Sequence, residues 1–239
     1  MFHSMNGMSQ SLGGPAGAGS ADPVGSAPGR LAESNRVEAF SDGVFAIVIT
    51  LLILDLKAPG SRGAVLHDLL GQWPAYVAYL ASFGYVGVIW VNHHNLFTRI
   101  RRVDGGLLWR NLALLLATSV LPFPTAVVSS AFQHGTPDDR RVALVFYALV
   151  GLATAATWWL LFHFLSRAPR LLEDEADADF FAGERHRALV GVASYAVAGL
   201  AAVWYPVIGL VVICVLPVFY GATSTGWRLA GRPLARGGI

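Results

Sequence analysis

The sequence predicts an all-α integral membrane protein, a six-helix transmembrane bundle with both its N- and C-termini on the cytoplasmic side. Three observations carry this. Of the 239 residues, 54% are hydrophobic and only 13% are charged, whereas soluble domains average about 25% charged residues. Charged residues are absent from residues 69–98, 111–137, 142–166 and 188–227. The basic residues between these runs fall unevenly on the two sides that alternating spans would create. Helices are the expected element because they satisfy their own backbone groups where lipid offers no hydrogen bonds.

Residues 1–30 are rich in Gly, Ala, Ser and Pro and contain no apolar run. Such a segment cannot bury enough surface to offset its chain entropy, so a disordered tail is expected. It lacks the basic start and apolar core of a signal peptide. A six-helix domain follows over 31–225, with spans expected at 37–57, 74–98, 107–131, 141–165, 187–204 and 207–224. Each of the first three charge-free runs fits one helix with some tilt. The last run is too long for one span: a helix of that length would reach about 60 Å, twice the bilayer core. Trp204-Tyr205-Pro206 near its middle predicts a tight hairpin, with aromatics at the interface and proline in the turn. The loop 166–187 carries the acidic run Glu173-Asp174-Glu175-Ala176-Asp177-Ala178-Asp179, read as a solvated face. Residues 226–239 form a basic cytoplasmic tail.

With the N-terminus inside, the outer segments hold only Lys57, Arg62, Arg140 and Arg141, and the other 13 of the 17 basic residues lie inside. That asymmetry sets the orientation. Several classes are excluded. A single cysteine, Cys214, rules out an intrachain disulfide. A net charge of +2 without a basic, aromatic-interleaved stripe argues against nucleic acid. Paired carboxylates, a Ser–His pair or a metal cluster at bilayer depth are not in evidence, so an enzyme is not expected. The adjacent His93 and His94 project about 100° apart on a helix and share one ion poorly, and no Cys or carboxylate stands at a ligand spacing nearby. No metal site and no cofactor is expected. Gly84, Gly87, Gly191 and Gly199 are expected at close helix contacts.

The first span is the unusual one. Its apolar run, 43–54, is short and bounded by Asp42 and Asp55. Advancing about 100° per residue, Phe40, Gly43, Ile47, Thr50, Leu51 and Leu54 share one face, and Asp42 falls on the opposite side. Ionisable groups within membranes face the bundle interior or a wet cavity. A helix with one face on a water-filled lumen therefore tolerates both carboxylates. An ordinary core helix whose branched residues simply pack would give the same period. Asp42 is read as structural, with Arg36, His93 or Asn111 as its candidate partners. Ser41 and Gly43 are read as small residues that admit a neighbouring helix.

Arg36-x-x-x-Phe40-Ser41-Asp42-Gly43-Val44-Phe45-Ala46-Ile47, followed by Thr50-Leu51-Leu52, resembles the signature of the transmembrane protein 175 family of potassium-permeable channels. Trp90-x-x-His93-x-x-x-Phe97, Arg110-Asn111-Leu112 and Leu121-Pro122-Phe123 resemble its secondary motifs. The resemblance covers about 31–225 and fits a prokaryotic single-repeat member. It implies a homotetramer in the plasma (cell inner) membrane, with the first helix of each subunit lining a central pore for potassium ions. It implies a hydrophobic constriction at Ile47, with Leu51 and Leu54 further out, and a selectivity role for Thr50. It implies structural support from Arg36, Phe40, Ser41, Asp42, Gly43, Trp90, His93 and Asn111. A TVGYG carbonyl filter is absent from the sequence and from the family. Rings of Ile or Leu close a pore by dewetting, so the physics agrees with the analogy. The alternatives are a proton- or cation-coupled secondary transporter titrating Asp42 and a membrane scaffold without flux.

Overall fold

The structure, a computed structural model, describes residues 28–60, 63–174 and 176–223, with side chains described from 34 to 222. The predicted tails, apart from Pro28-Gly29-Arg30, and Arg62 and Glu175 lie outside the described residues. The described chain is helical: α1 (Pro28–Leu52) ending in a 3-10 turn (Ile53–Asp55), α2 (Val65–Gly71), α3 (Trp73–Phe97), α4 (Gly105–Ser119), α5 (Pro122–His134), α6 (Pro137–Leu165), α7 (Asp177–Trp204) and α8 (Pro206–Thr223). Among the described residues the only β pairing is an isolated bridge between Ile100 and Leu172.

Among the described residues, five segments are long and apolar enough to cross a bilayer: Ser34–Asp55, Trp73–Phe97, Gly105–His134, Pro137–Leu165 and Asp177–Trp204. α8 is apolar but shorter. The predicted hairpin is present: α7 ends at Trp204, Tyr205 leaves helical geometry at φ −132° and ψ 80°, and Pro206 opens α8. Proline suits that first helical position because its missing N–H would have had no partner there.

Several boundaries depart from the expectation. α1 begins at Pro28 rather than 37. The third span is two helices, because Pro122 cannot donate into the ladder. The chain passes the break through tight turns, Leu121 N–H to Thr118 O at 3.1 Å and Phe123 N–H to Val120 O at 3.0 Å. The outer loop holds α2, clasped to the end of α1 by two 2.9 Å bonds between the Lys57 backbone and the Gln72 amide. α7 begins ten residues before the expected 187 and takes in the end of the acidic run. Asp177 and Asp179 occupy its first turn, where the positive end of the helix dipole favours carboxylates. Asp177 is not a solvated charge: it pairs with Arg99 at 2.5 Å, and Arg99 also lies over the Phe180 ring.

One end of the bundle is laced by its loops. Arg101 N–H donates to Leu171 O at 2.8 Å and Glu173 N–H to Arg99 O at 3.0 Å. Ser34 Oγ donates to Ile100 O there, tying in α1. At the other end Thr136 and Asp139 form a capping box at the start of α6, satisfying otherwise orphaned N–H groups.

The core lies among α1, α3, α4, α6 and α7, around Phe45, Leu52, Ile89, Leu114, Leu161 and Tyr195. α6 and α7 pack most intimately. A Cβ at Gly151 would lie 2.4 Å from the Tyr195 ring, and one at Gly199 would lie 3.2 Å from Ala148 Cβ. Gly191 approaches Tyr220 in the same way. Gly84, Gly87 and Gly43 differ from expectation, since a Cβ on any of them meets nothing within 4 Å. Within one chain they are not contact glycines. Gly151→Ala is expected to destabilise the fold by about 1–3 kcal/mol through overpacking. Gly84→Ala is expected to leave stability unchanged or slightly raised, because Ala is the better helix former. Thermal unfolding in detergent measures both.

Candidate pore-lining helix and its anchoring network

α1 divides sharply by face. Ser41, Phe45, Val48 and Leu52 are buried at 1% exposure or less, spaced as one helical stripe. Phe40, Ile47, Leu51 and Leu54 are exposed by 59%, 59%, 43% and 74%. Gly43 and Thr50 are exposed on the same side. The face that the sequence singled out is thus the one without neighbours in the subunit. Ala46 and Ile53 are exposed as well, so the open surface is wider than expected. The 3-10 turn at 53–55 carries Leu54 beyond the regular α-helical stripe.

A buried hydrogen-bond chain holds the opposite face. Ser41 Oγ–H donates to Val37 O at 2.9 Å, and Asn111 Nδ2 donates to Ser41 Oγ at 2.9 Å. Asn111 Oδ1 then faces His93 Nε2 at 2.9 Å. Because that amide oxygen can only accept, His93 carries its proton on Nε2. The ring is stacked on Phe97 and meets the edge of Phe45. The network therefore joins α1, α3 and α4 in the core, which is why the sequence needs a small hydroxyl at 41, an amide at 111 and an imidazole at 93.

Asp42 lies beside this network but not in it. Its Oδ1 accepts from Trp90 Nε1 at 3.0 Å, and none of Arg36, His93 or Asn111 bonds to it. The helical phase explains the correction: Asp42 sits one position from the buried stripe, opposite the α3 turn that carries Trp90. Arg36 is exposed and makes no described ion pair. The neighbouring turn holds a contact that the sequence reading missed, Glu38 to His94 Nδ1 at 2.8 Å. Its signal was present: Glu38 precedes Asp42 by four residues as His94 follows Trp90 by four, so the two pairs stack along one α1–α3 seam. Thr50 Oγ1–H donates to Ile47 O at 2.8 Å. Among the described residues no group of three or more His, Cys, Asp or Glu is placed to hold a metal ion.

These features define a multi-pass helical membrane protein whose first span keeps one branched-aliphatic face unpartnered. A family model described as endosomal/lysosomal potassium channel TMEM175 matches residues 36–122. A potassium channel of Streptomyces collinus is 41% identical over 194 residues, covering 79% of this chain and 92% of that protein. The human endosomal/lysosomal proton channel TMEM175 is 35% identical over 136 residues, 52% of this chain but 27% of that protein. The crystal structure of a lysosomal potassium-selective channel TMEM175 homolog from Chamaesiphon minutus superposes with a TM-score of 0.72 at 33% identity, over 81% of this chain and 99% of that one. The chain belongs to the TMEM175 family. Its relatives are named as ion channels, not enzymes.

Asn111→Ala would leave the buried His93 Nε2–H without its acceptor and Ser41 without its donor. The cost expected is about 1–3 kcal/mol, read as a lowered unfolding temperature, with Trp90→Phe costing less because Asp42 lies at a partly wetted surface.

Proposed function

We propose that this protein is a potassium-permeable cation channel, a homotetramer in which the α1 helices surround a central aqueous pore. The observation that carries this reading is the unpartnered face of α1. It is the least covered of the five spans, yet it bears Thr50 and lies between two carboxylates. A lipid-facing reading leaves the carboxylates and the shortness of the apolar run without a purpose. Copies of the same face around an axis give Thr50 a wet setting, with Asp42 held by Trp90 off that face.

In that arrangement Ile47 forms the narrowest apolar ring, with Leu51 and Leu54 above it. Four branched side chains around an axis exclude water from a narrow tube, and ions do not pass a dry constriction. Opening is a rotation or outward movement of α1 that widens the ring until it wets. Thr50 ties its hydroxyl hydrogen back to Ile47 O, which leaves the oxygen lone pairs free. A ring of such oxygens replaces part of a cation's water shell with a low field strength, which suits potassium and gives modest selectivity. No TVGYG loop is needed for this. The support residues Ser41, Asn111, His93, Asp42 and Trp90 fix the rotation of α1 rather than touch the ion.

α8 serves as the sixth span, returning the chain to the side on which it began, with both termini cytoplasmic and the membrane that of the cell. The basic asymmetry favours this orientation. The unit from 31 to 225 is one channel domain between two tails. The transporter reading is less well supported, since the Asp42 carboxylate is held by Trp90 away from the open face.

Planar-bilayer recording of the purified protein tests the pore. Ile47→Asn is expected to raise open probability or leak current at least several-fold, and an unchanged current would remove the gate from Ile47. Thr50→Val is expected to lower potassium preference, shifting the bi-ionic reversal potential toward zero. Cysteine cross-linking at Leu54→Cys, with Cys214→Ser as background, is expected to join copies of the chain.

A further inference from the structure

One end of the α6 helix is surrounded by hydrogen-bond donors with too few acceptors. His163 sits in the last turn of α6, at the depth where a span leaves the hydrocarbon for the headgroups. Arg110 of α4, Arg167 just past α6 and Arg185 of α7 all lie within electrostatic reach of it. Arg167 meets the imidazole ring itself, a donor against a group with a single lone pair to offer. Arg110 lies over the Phe164 ring at 4.1 Å and otherwise donates only to Gly106 O. Arg185 is part-buried and makes no hydrogen bond or ion pair among the described residues. Trp159, stacked on His163 at 4.9 Å, has a buried indole N–H with no partner.

Two carboxylates on the neighbouring segments are already committed. Asp104 caps the Leu107 N–H and accepts from Arg170 at 2.9 Å. Glu184 is held by Arg187 through both oxygens, at 2.7 and 2.9 Å. Three arginines from three helical segments, Arg110, the exposed Arg167 and Arg185, thus lie within electrostatic reach of one imidazole, and among the described residues none of them is paired with a carboxylate. Arginine in the interfacial zone carries a desolvation cost unless an anion answers it, and its planar fork matches phosphate oxygens.

We propose that the arginine cluster of Arg110, Arg167 and Arg185 around His163 binds a phosphate-bearing anion, supplied by the headgroup of an anionic phospholipid. The depth favours a lipid source over a free ion, because the cluster lies where headgroups lie and Trp159 and Phe164 offer apolar wall to the chain below. The site depends only on the subunit fold and its membrane embedding, not on the assignment of the pore.

The test is thermal unfolding of the detergent-solubilised full chain titrated with short-chain phosphatidylglycerol, short-chain phosphatidylcholine and inorganic phosphate. Phosphatidylglycerol is expected to raise the unfolding temperature saturably by several degrees, since a ligand that binds only the folded state stabilises it. Phosphatidylcholine is expected to give a much smaller shift. Arg167→Gln/Arg185→Gln is expected to abolish the phosphatidylglycerol shift. Arg101→Gln/Arg102→Gln removes the same charge at the same end of the bundle, away from His163, and is expected to keep it. An equal shift from both lipids, a shift that survives in the first double variant, or one lost equally in the second would overturn the proposal. Inorganic phosphate matching phosphatidylglycerol at the same concentration would keep the site but make its source the free anion.

Discussion

The rotation of α1 about its own axis is the constraint on which the molecule depends. Side-chain hydrogen bonds to neighbouring helices set it: Asn111 to Ser41, backed by His93 on Asn111, with Trp90 to Asp42 and His94 with Glu38 along the rim. In a bilayer core, van der Waals packing alone discriminates weakly among rotations, because lipid tails are as apolar as leucine. A polar contact has one geometry that works and leaves orphaned groups in every other. The Ser41–Asn111–His93 chain therefore holds Phe45, Val48 and Leu52 inward, and in doing so commits Phe40, Ile47, Thr50 and Leu51 outward. A twist of one residue would expose Ser41 and bury a residue from the other face. The hydroxyls elsewhere in the spans follow a quieter version of this rule: Thr118, Thr125 and Thr154 each donate back to a carbonyl of their own helix.

Much of this was legible in the chain. Charge-free runs marked the spans because an unpaired charge has no cheap place in lipid, and the helical period of α1 separated its two faces. The hairpin at Trp204-Tyr205-Pro206 was readable because its run is twice as long as a bilayer is thick. What escaped has a common physical cause. Extensions of helices beyond the membrane, such as α1 before Ser34 and α7 from Asp177, carry no hydropathy signal. The start of α7 depends instead on dipole and ion-pair terms, with Asp177 in its first turn paired to Arg99. The broken third span was marked by Pro122, but proline in a membrane helix gives a kink or a passage between two helices with equal ease. Gly84 and Gly87 look like contact glycines in sequence, and composition cannot say which side of a helix has a neighbour.

The polar pairings were the hardest part of the site to read. The sequence placed Asp42 off the open face, and the structure does so too. Its partner, Trp90, was on the page as a motif residue but not as a hydrogen-bond donor. The indole N–H reaches a carboxylate while the ring remains in apolar surroundings, which makes Trp a natural partner for an acid near a helix end. Glu38 and His94 repeat the arrangement one turn away, so the α1–α3 seam has a short polar ladder along its rim and an aromatic-lined network at its heart.

The joint between α7 and α8 has a mechanical meaning. A single non-helical residue, Tyr205, separates two long rods, and Gly209 of α8 presses against Ala202 of α7, where a Cβ would come within 2.7 Å of the alanine methyl. Such a splice has no slack. Tilting either rod therefore strains the other, and with α7 packed on α6 and α8 on α3 the pair ties those two helices together.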